Sequence, residues 1–191
     1  MKFYDRAKEL AELKRIQKLS FDDHSRLTVL TGRRRIGKTS LVMKASEGQP
    51  TVYLFVSRKS EAVLCADFIS VIARELDTYV PSEIRTFASL FRYLMELAAR
   101  QPFNLIIDEF QEFYNINESV YSDMQNIWDQ HRLKSRMNLV VSGSIYSLMH
   151  KIFENNKEPL FGRADNIIKL SAFDIPTLKE IMHDYRPEYT N

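Results

Sequence analysis

The sequence predicts an α/β domain in which helices cover both faces of a parallel β-sheet. Short apolar segments alternate with amphipathic ones along the whole chain of 191 residues, which is typical of folds that alternate strands and helices. The apolar segments are continuous rather than alternating in polarity, as expected for strands that are buried on both faces. We therefore expect one three-layer domain over residues 1–191.

Five short segments have the composition of buried strands. They are rich in aliphatic and β-branched side chains, which favour strands. The predicted strands are residues 26–31, 51–56, 103–107, 138–142 and 166–170. Because each is a continuous apolar run, we expect all five in a sheet that is covered on both faces.

The segments between the strands have helical periodicity. Leu64, Phe68 and Ile72 recur four residues apart and so share one face of a helix. Ser60 and Thr86 are candidate N-caps, because a hydroxyl can accept a hydrogen bond from the free N–H groups of a first helical turn. The predicted helices are residues 5–18, 38–47, 60–78, 86–100, 117–134, 144–154 and 176–185.

Composition narrows the class of protein. Apolar residues make up 45% of the chain, and 27 basic against 25 acidic residues leave a net charge of +2, so bulk charge gives no support for a nucleic-acid-binding protein. One cysteine, Cys65, excludes an intramolecular disulfide framework and fits a reducing compartment. The first residues lack the apolar stretch of a signal peptide, and no apolar run is long enough to cross a bilayer. We expect a soluble, cytoplasmic domain without membrane contact.

A glycine-rich segment follows the first predicted strand and matches the pattern G-x-x-x-x-G-K-[ST] in full. Backbone N–H groups of such a loop point inward around a phosphate, and the next helix adds its positive N-terminal end. Lys38 would reach the β and γ phosphates, and Thr39 would offer its hydroxyl to Mg²⁺. The candidate nucleotide-binding residues are Gly32, Arg33, Arg34, Arg35, Ile36, Gly37, Lys38, Thr39 and Ser40.

The three arginines of this loop, Arg33, Arg34 and Arg35, allow two interpretations. They could contact nucleic acid, or they could fill the free positions of the loop, partly solvated, and steady the phosphates. The near-neutral bulk charge favours the second interpretation.

Two acidic residues end the third predicted strand. Parallel strands place their ligands at the carboxyl edge of the sheet, so Asp108 would emerge near the phosphates and hold Mg²⁺ directly or through water. Glu109, one residue later, would orient and deprotonate the attacking water. An acid after the metal-binding acid favours a hydrolase over a kinase-like protein.

The strand at 138–142 is expected between the loop strand and the acidic strand, because the segment 51–56 separates those two in sequence. Ser142 or Ser144 would then face the γ-phosphate or the attacking water. The alternative is that Ser144 caps the following helix, and both roles can hold for different serines. The G-x-S-x-G elbow of a serine hydrolase is absent.

The sequence pattern excludes a guanine-reading site and a zinc site. The string Asn156-Lys157-Glu158-Pro159 begins like the guanine-reading motif N-K-x-D but ends in proline. The four histidines have neither zinc spacing nor cysteine partners.

Taken together, several short strings resemble the archaeal-type ATPases, a P-loop class related to the STAND and AAA+ proteins. They are Phe3-Tyr4-Asp5-Arg6 with Glu9-Leu10, the segment 32–41, Asp108-Glu109-Phe110-Gln111, Ser142-Gly143-Ser144 and Pro159-Leu160-Phe161-Gly162-Arg163. The resemblance covers most of the chain, and the last string is its most diagnostic part.

The resemblance to this family also has implications for strand order, for further site residues and for additional domains. It implies a five-stranded parallel sheet in the order 5-1-4-3-2. It places Asp5 and Arg6 near the adenine and makes Arg163 a candidate phosphate sensor or arginine finger. Members of the family usually continue into a helical and winged-helix region, so the chain would be an ATPase core without it. A DNA or protein partner would be engaged through that region, and an arginine acting in trans would require a homo-oligomer.

The leading hypothesis is a Mg²⁺-dependent ATPase, with ATP and ADP as its ligands. Thr39 and Asp108 would hold the metal, and the candidate catalytic residues are Lys38, Glu109, Ser144 and Arg163. The alternative hypothesis is a nucleotide-gated interaction or signalling module that turns over ATP slowly or not at all.

Overall fold

The computed structural model describes residues 6–185 and contains a five-stranded sheet. The strands are β1 (Arg26–Thr31), β2 (Thr51–Phe55), β3 (Phe103–Asp108), β4 (Met137–Gly143) and β5 (Asn166–Lys169). Every neighbouring pair is parallel, and the order is β2-β3-β4-β1-β5. The expected order 5-1-4-3-2 is confirmed, since it is the same order read from the other edge.

Eight α-helices lie within the described residues. They are α1 (Ala7–Asp22), α2 (Lys38–Ala45), α3 (Glu61–Glu75), α4 (Phe87–Ala98), α5 (Phe113–Ile116), α6 (Ser119–His131), α7 (Tyr146–Glu154) and α8 (Ile175–Tyr185). Thr86 caps α4 as expected, accepting a hydrogen bond from the Ser89 N–H at 3.3 Å. Ser60 occupies the N-cap of α3, but its side chain makes no capping hydrogen bond.

The helices lie on both faces of the sheet, as predicted. Alternate strand residues point to opposite faces, so Leu105 and Ile107 join one buried cluster whereas Ile106 joins a second. The larger cluster includes residues of α3, α4, α6 and α7, and the smaller one includes residues of α1 and α2. The continuous apolar strands therefore follow from burial on both faces.

The sequence predicts no helix between the strand at 103–107 and the helix at 117–134, but the structure has two short helical elements there. A 3-10 turn at Phe110–Glu112 leads into the short helix α5. Phe110 and Phe113 are fully buried, with ring centroids 5.8 Å apart, and Phe113 also packs 4.6 Å from Phe87. Helical periodicity cannot reveal elements this short, yet their aromatic anchors fix the turn that carries Glu109.

The last described helix, α8, has a different character from the others. Its apolar residues Ile175, Leu178, Met182 and Tyr185 are all exposed, and only Thr177 is buried. Within residues 6–185, no helix has the length and apolar character needed to cross a membrane.

Candidate nucleotide-binding site

The loop between β1 and α2 forms one wall of a cavity at the carboxyl edge of the sheet. Gly37 adopts the left-handed conformation with φ 94° immediately before the helix begins at Lys38, and residues with a Cβ rarely take up this conformation. Ile36 is partly buried and packs against the cluster that contains Leu30 and Leu41. The loop is therefore anchored on the sheet by one apolar side chain, while its three arginines are exposed.

Lys38 is buried inside the curve of this loop. Its ammonium donates hydrogen bonds to the carbonyl oxygens of Gly32 at 2.8 Å and Arg33 at 3.1 Å. Burial lowers the pKa of Lys38, and the nearby Glu109 and Asp108 carboxylates partly oppose that change. A buried cation that only main-chain oxygens hold is well placed to bind an anion.

Asp108 ends β3 beside the loop and accepts four hydrogen bonds. Its Oδ2 accepts from the hydroxyls of Thr39 at 2.9 Å and Tyr53 at 2.8 Å. Its Oδ1 accepts from the Ser142 hydroxyl at 2.5 Å and from the Glu109 N–H at 3.0 Å. Burial alone would raise the pKa of Asp108, but the hydrogen bonds from Ser142, Tyr53 and Thr39 together bring it below its ordinary value.

Glu109 lies one residue further, in an uncommon backbone conformation. Its φ of 54° and ψ of 39° are left-handed, and such conformations often occur at functional sites. Its Oε2 accepts hydrogen bonds from the Gln111 amide at 2.5 Å and from the Ser144 hydroxyl at 2.7 Å. The carboxylate is thereby fixed in orientation at the wall of the cavity.

Gly143 makes room for this arrangement. A Cβ at this position would lie 2.4 Å from Oε1 of Gln111 and 2.5 Å from the side chain of Met149. Both neighbours are buried and cannot move aside easily. The small residue in the Ser-Gly-Ser string therefore lets Gln111 reach Glu109.

The cavity has a volume of about 460 Å³. Its lining consists of Arg34, Arg35, Gly37, Lys38, Thr39, Ser40, Asp108 and Glu109. Eight residues from two distant sequence motifs thus meet in one place, as the strand order requires. Among residues 6–185, no three His, Cys, Asp or Glu side chains form a metal-binding cluster.

The two serines of β4 and its turn have separate contacts. Ser142 holds Asp108, and Ser144 holds Glu109. The alternative role of Ser144 as a helix cap is wrong, because Ile145 occupies the N-cap of α7. The Nε of Arg34 also lies 3.5 Å from the Ser144 hydroxyl, which brings one loop arginine to the side of Glu109.

Comparison with known proteins agrees with this geometry. A family described as an ATPase domain predominantly from Archaea matches residues 3–191. The chain belongs to this family. The resemblance to archaeal-type ATPases is thereby confirmed, and the fold and the phosphate loop are those of a P-loop ATPase domain.

This ATPase domain is similar to parts of longer proteins. An uncharacterized protein of Methanocaldococcus jannaschii is 29% identical over 178 residues, which are 93% of this chain and 38% of that protein. A Walker-type ATPase of Pyrococcus abyssi superposes with a TM-score of 0.72 at 20% identity, over 97% of this chain and 59% of that one. The chain thus spans less than two thirds of each of these relatives.

Two further solved structures share the same fold. Cdc6p from Pyrobaculum aerophilum has a TM-score of 0.64 at 19% identity, over 94% of this chain and 48% of that one. The Aeropyrum pernix ORC1 protein, whose structure is in complex with DNA, has a TM-score of 0.67 at 13% identity, over 98% and 50% of the two chains. At these identities the likeness shows the architecture only.

Arg6, which the family resemblance places near the adenine, is not among the residues that line the cavity. Arg6 is buried beside the carboxyl end of β5, where it donates to the carbonyl oxygen of Ser171 at 2.6 Å and lies 4.6 Å from the centre of the Phe173 ring. Its proximity to an adenine stays a prediction. Asp5 lies outside the described residues.

Arg163 is another predicted site residue that does not line the cavity. It lies just before β5, at the amino edge of the sheet. The N–H of Asp165, two residues later, donates a hydrogen bond to the carbonyl oxygen of Leu27, near the start of β1. Its guanidinium pairs with Asp129 at 2.9 Å. Because the phosphate loop follows the other end of β1, Arg163 is not among the residues that line the cavity of its own chain, and its role as a phosphate sensor stays a prediction. A role at a neighbouring chain stays a prediction.

Sequence reasoning missed two residues of the site. Tyr53 carries a hydroxyl in an otherwise apolar strand, and that hydroxyl reaches Asp108. Gln111 was noticed only as part of a family string, although its amide contacts Glu109. A polar group inside a buried strand and a glutamine two residues after an acid were the available signals.

Proposed function

We propose that this domain binds ATP together with Mg²⁺ at the carboxyl edge of its sheet and hydrolyses it. One observation carries the proposal: Lys38, Thr39, Asp108 and Glu109 line a single cavity although their motifs lie far apart in sequence. A buried ammonium in a backbone loop, a hydroxyl beside a carboxylate and a second carboxylate are the groups that phosphoryl transfer to water requires.

The residues of the loop would hold the triphosphate. The backbone N–H groups of residues 32–39 and the N-terminus of α2 supply positive partial charge. Lys38 would exchange its hydrogen bonds with the Gly32 and Arg33 carbonyl oxygens for charge-assisted contacts to phosphate. Arg34 and Arg35, which line the cavity, would add charge at its rim.

Thr39 and Asp108 fit a magnesium ion. A hydroxyl oxygen lies 2.9 Å from a carboxylate oxygen, and Mg²⁺ prefers one or two such protein oxygens together with phosphate oxygens and water. When bound, the ion neutralises charge that develops on the phosphates. The lowered pKa keeps Asp108 ionised near neutral pH, as a metal ligand must be.

Glu109 would act as the general base. Its carboxylate would take a proton from water while the water oxygen bonds to the γ-phosphorus and the bond from that phosphorus to the β,γ-bridging oxygen breaks. Ser144 and Gln111 hold one carboxylate oxygen, which leaves Oε1 to face the water. The products are ADP and inorganic phosphate.

A second candidate function is a nucleotide-gated module with slow turnover. The observation in its favour is that the Gln111 amide and the Ser144 hydroxyl already occupy Oε2 of Glu109, so that oxygen is engaged by the protein itself. Arg163 also does not line the cavity, and the arginines that do line it, Arg34 and Arg35, belong to the phosphate loop itself. Under this proposal a protein or DNA partner would respond to ATP or ADP through the parts of longer relatives that this chain does not match.

The test combines calorimetric titration of Mg·ATP with a phosphate-release assay on the same sample. We expect Glu109→Gln to keep ATP affinity within about threefold of wild type and to slow phosphate release about 10²–10⁴-fold, the usual contribution of a general base. Glu96→Gln, at an exposed position on α4, is the matched control and should release phosphate at the wild-type rate.

Three outcomes separate the candidates. Steady release by wild type that fails in Glu109→Gln supports hydrolysis by this set of residues. Equal release from both proteins would remove Glu109 as the base. Tight binding of ATP by wild type without release would favour the nucleotide-gated module.

A further inference from the structure

Tyr53 is a residue of the site that the phosphate-loop and acidic motifs do not include. It lies in β2, the edge strand next to β3, and its side chain is half-buried. Its hydroxyl lies 2.8 Å from Oδ2 of Asp108. The same oxygen accepts from Thr39 at 2.9 Å, so Tyr53 touches the pair of groups that fits a magnesium ion.

Strand register explains how a residue of the edge strand reaches this point. Tyr53 pairs with Ile106 and Phe55 pairs with Asp108. Tyr53 therefore points to the same face as Asp108 and lies diagonally across the two strands, a separation that a long aromatic side chain can span. Phe55, directly opposite Asp108, has no hydroxyl and is half-exposed.

The hydroxyl of Tyr53 acts as a donor. An ionised carboxylate only accepts hydrogen bonds, so the phenol is the donor in this contact with Asp108. A carboxylate offers about four acceptor positions, and Asp108 receives four donors: two hydroxyls on Oδ2, and one hydroxyl with one N–H on Oδ1. Its orientation is thus fixed on both oxygens.

The donors of Asp108 differ in what else they can do. Thr39 is itself a candidate metal ligand, so its contact with Asp108 is the one open to change when the site fills. Tyr53 is held by the ladder between β2 and β3 and lines no part of the cavity that we describe for the nucleotide. Tyr53 can therefore keep its hydrogen bond to Oδ2 of Asp108 when Thr39 gives up its own to bind the metal.

We propose that Tyr53 is a positioning residue for the magnesium site: its hydroxyl holds the Asp108 carboxylate in the orientation that metal binding requires. The proposal rests on the proposed function, because it concerns the metal of the same site. Groups that orient a metal ligand typically change metal affinity 10–100-fold when they are removed. Tyr53 should accordingly matter for the magnesium complex and not for the phosphates themselves.

A purely structural hydrogen bond makes a different prediction. If Tyr53 only tied β2 to β3, its loss would lower stability and would weaken ATP binding equally with and without metal. A positioning role changes the Mg²⁺ dependence of binding alone. The ratio of the two affinities therefore distinguishes the roles, and no turnover is needed to measure it.

The experiment measures ATP affinity by calorimetry in EDTA and over a series of Mg²⁺ concentrations, for wild type, Tyr53→Phe and Tyr93→Phe. Tyr93 is a matched control on α4, where its hydroxyl donates to the carbonyl oxygen of Tyr79. We expect Tyr53→Phe to bind ATP in EDTA within twofold of wild type and to need about tenfold more Mg²⁺ for half of the metal-dependent gain in affinity. Tyr93→Phe should match wild type in both.

Two results would overturn the proposal while the proposed function stands: an unchanged Mg²⁺ requirement in Tyr53→Phe, or an equal loss of affinity in EDTA and in Mg²⁺. Failure of wild type to bind ATP in either condition would overturn the proposed function itself and this proposal with it. Thermal unfolding of each variant verifies that the compared proteins are folded.

Discussion

Charged side chains have different partners in two regions: the cavity at the carboxyl edge of the sheet, where the strands end, and the amino edge near Arg163, where they begin. At the carboxyl edge, Asp108 and Glu109 receive hydrogen bonds from uncharged donors, and the buried ammonium of Lys38 rests on main-chain oxygens. At the amino edge, opposite charges pair directly, as in Arg163 with Asp129 at 2.9 Å. The charges that line the cavity remain available to a ligand, whereas Arg163 and Asp129 neutralise one another.

This difference separates a site from a surface. Neutral donors orient a carboxylate without cancelling its charge, so the field inside the cavity is preserved for a ligand. Partly exposed ion pairs contribute little to stability and leave no net charge to recruit an anion. The contrast can be tested by changing one residue at each edge.

The larger effect is expected at the carboxyl edge, for Gly143→Ala. The added methyl group would meet the buried side chains of Gln111 and Met149 at 2.4–2.5 Å, and overpacking of this kind lowers the free energy of unfolding by about 1–3 kcal/mol. Because Gln111 orients Glu109, phosphate release should also slow while ATP binding persists. Chemical denaturation and a phosphate-release assay measure the two effects.

Ser147→Ala, at an exposed position on α7, is the control for Gly143→Ala and should change neither quantity. Wild-type stability and turnover in Gly143→Ala would show that the packing around Gln111 does not determine the position of Glu109.

The smaller effect is expected at the amino edge, for Arg163→Ala. Its partly exposed ion pair with Asp129 should contribute less than about 1 kcal/mol to the free energy of unfolding. At low chain concentration, phosphate release should stay within about twofold of wild type, because Arg163 is not at the cavity of its own chain. A titration of chain concentration completes the measurement.

The concentration dependence decides what Arg163 does. Slower release only at concentrations where chains associate would support a role at a neighbouring chain's nucleotide. Slower release at every concentration would contradict the placement of Arg163 at the amino edge.

The sequence predicts the fold well because the signals are local and repeated. Continuous apolar runs identify the five strands, and the segment between the two nucleotide motifs already indicates that β4 lies between β1 and β3. Helix ends are less accurate: the helix predicted over 5–18 continues to Asp22, and the one predicted over 117–134 is α6 followed by a 3-10 turn. Tertiary packing decides such ends, and periodicity does not record it.

The site is predicted as far as its residues belong to motifs. Lys38, Thr39, Asp108 and Glu109 converge because two parallel strands end at the same edge. Tyr53 escapes prediction because its role depends on the β2–β3 register, which a single sequence does not show. The placement of Arg163 could have been foreseen, because a residue that precedes a strand of an all-parallel sheet lies at the amino ends of the strands, opposite the phosphate loop.

The most direct test of the central claim is titration of Mg·ATP into wild type and Lys38→Ala, with Lys44→Ala as the control. Lys44 lies in the same helix, where its exposed ammonium pairs with Glu47. We predict that Lys38→Ala weakens ATP binding at least about 100-fold, equivalent to about 2.8 kcal/mol, while Lys44→Ala binds like wild type. Binding of Mg·ATP by Lys38→Ala with wild-type affinity would contradict the account that this cavity is the nucleotide site.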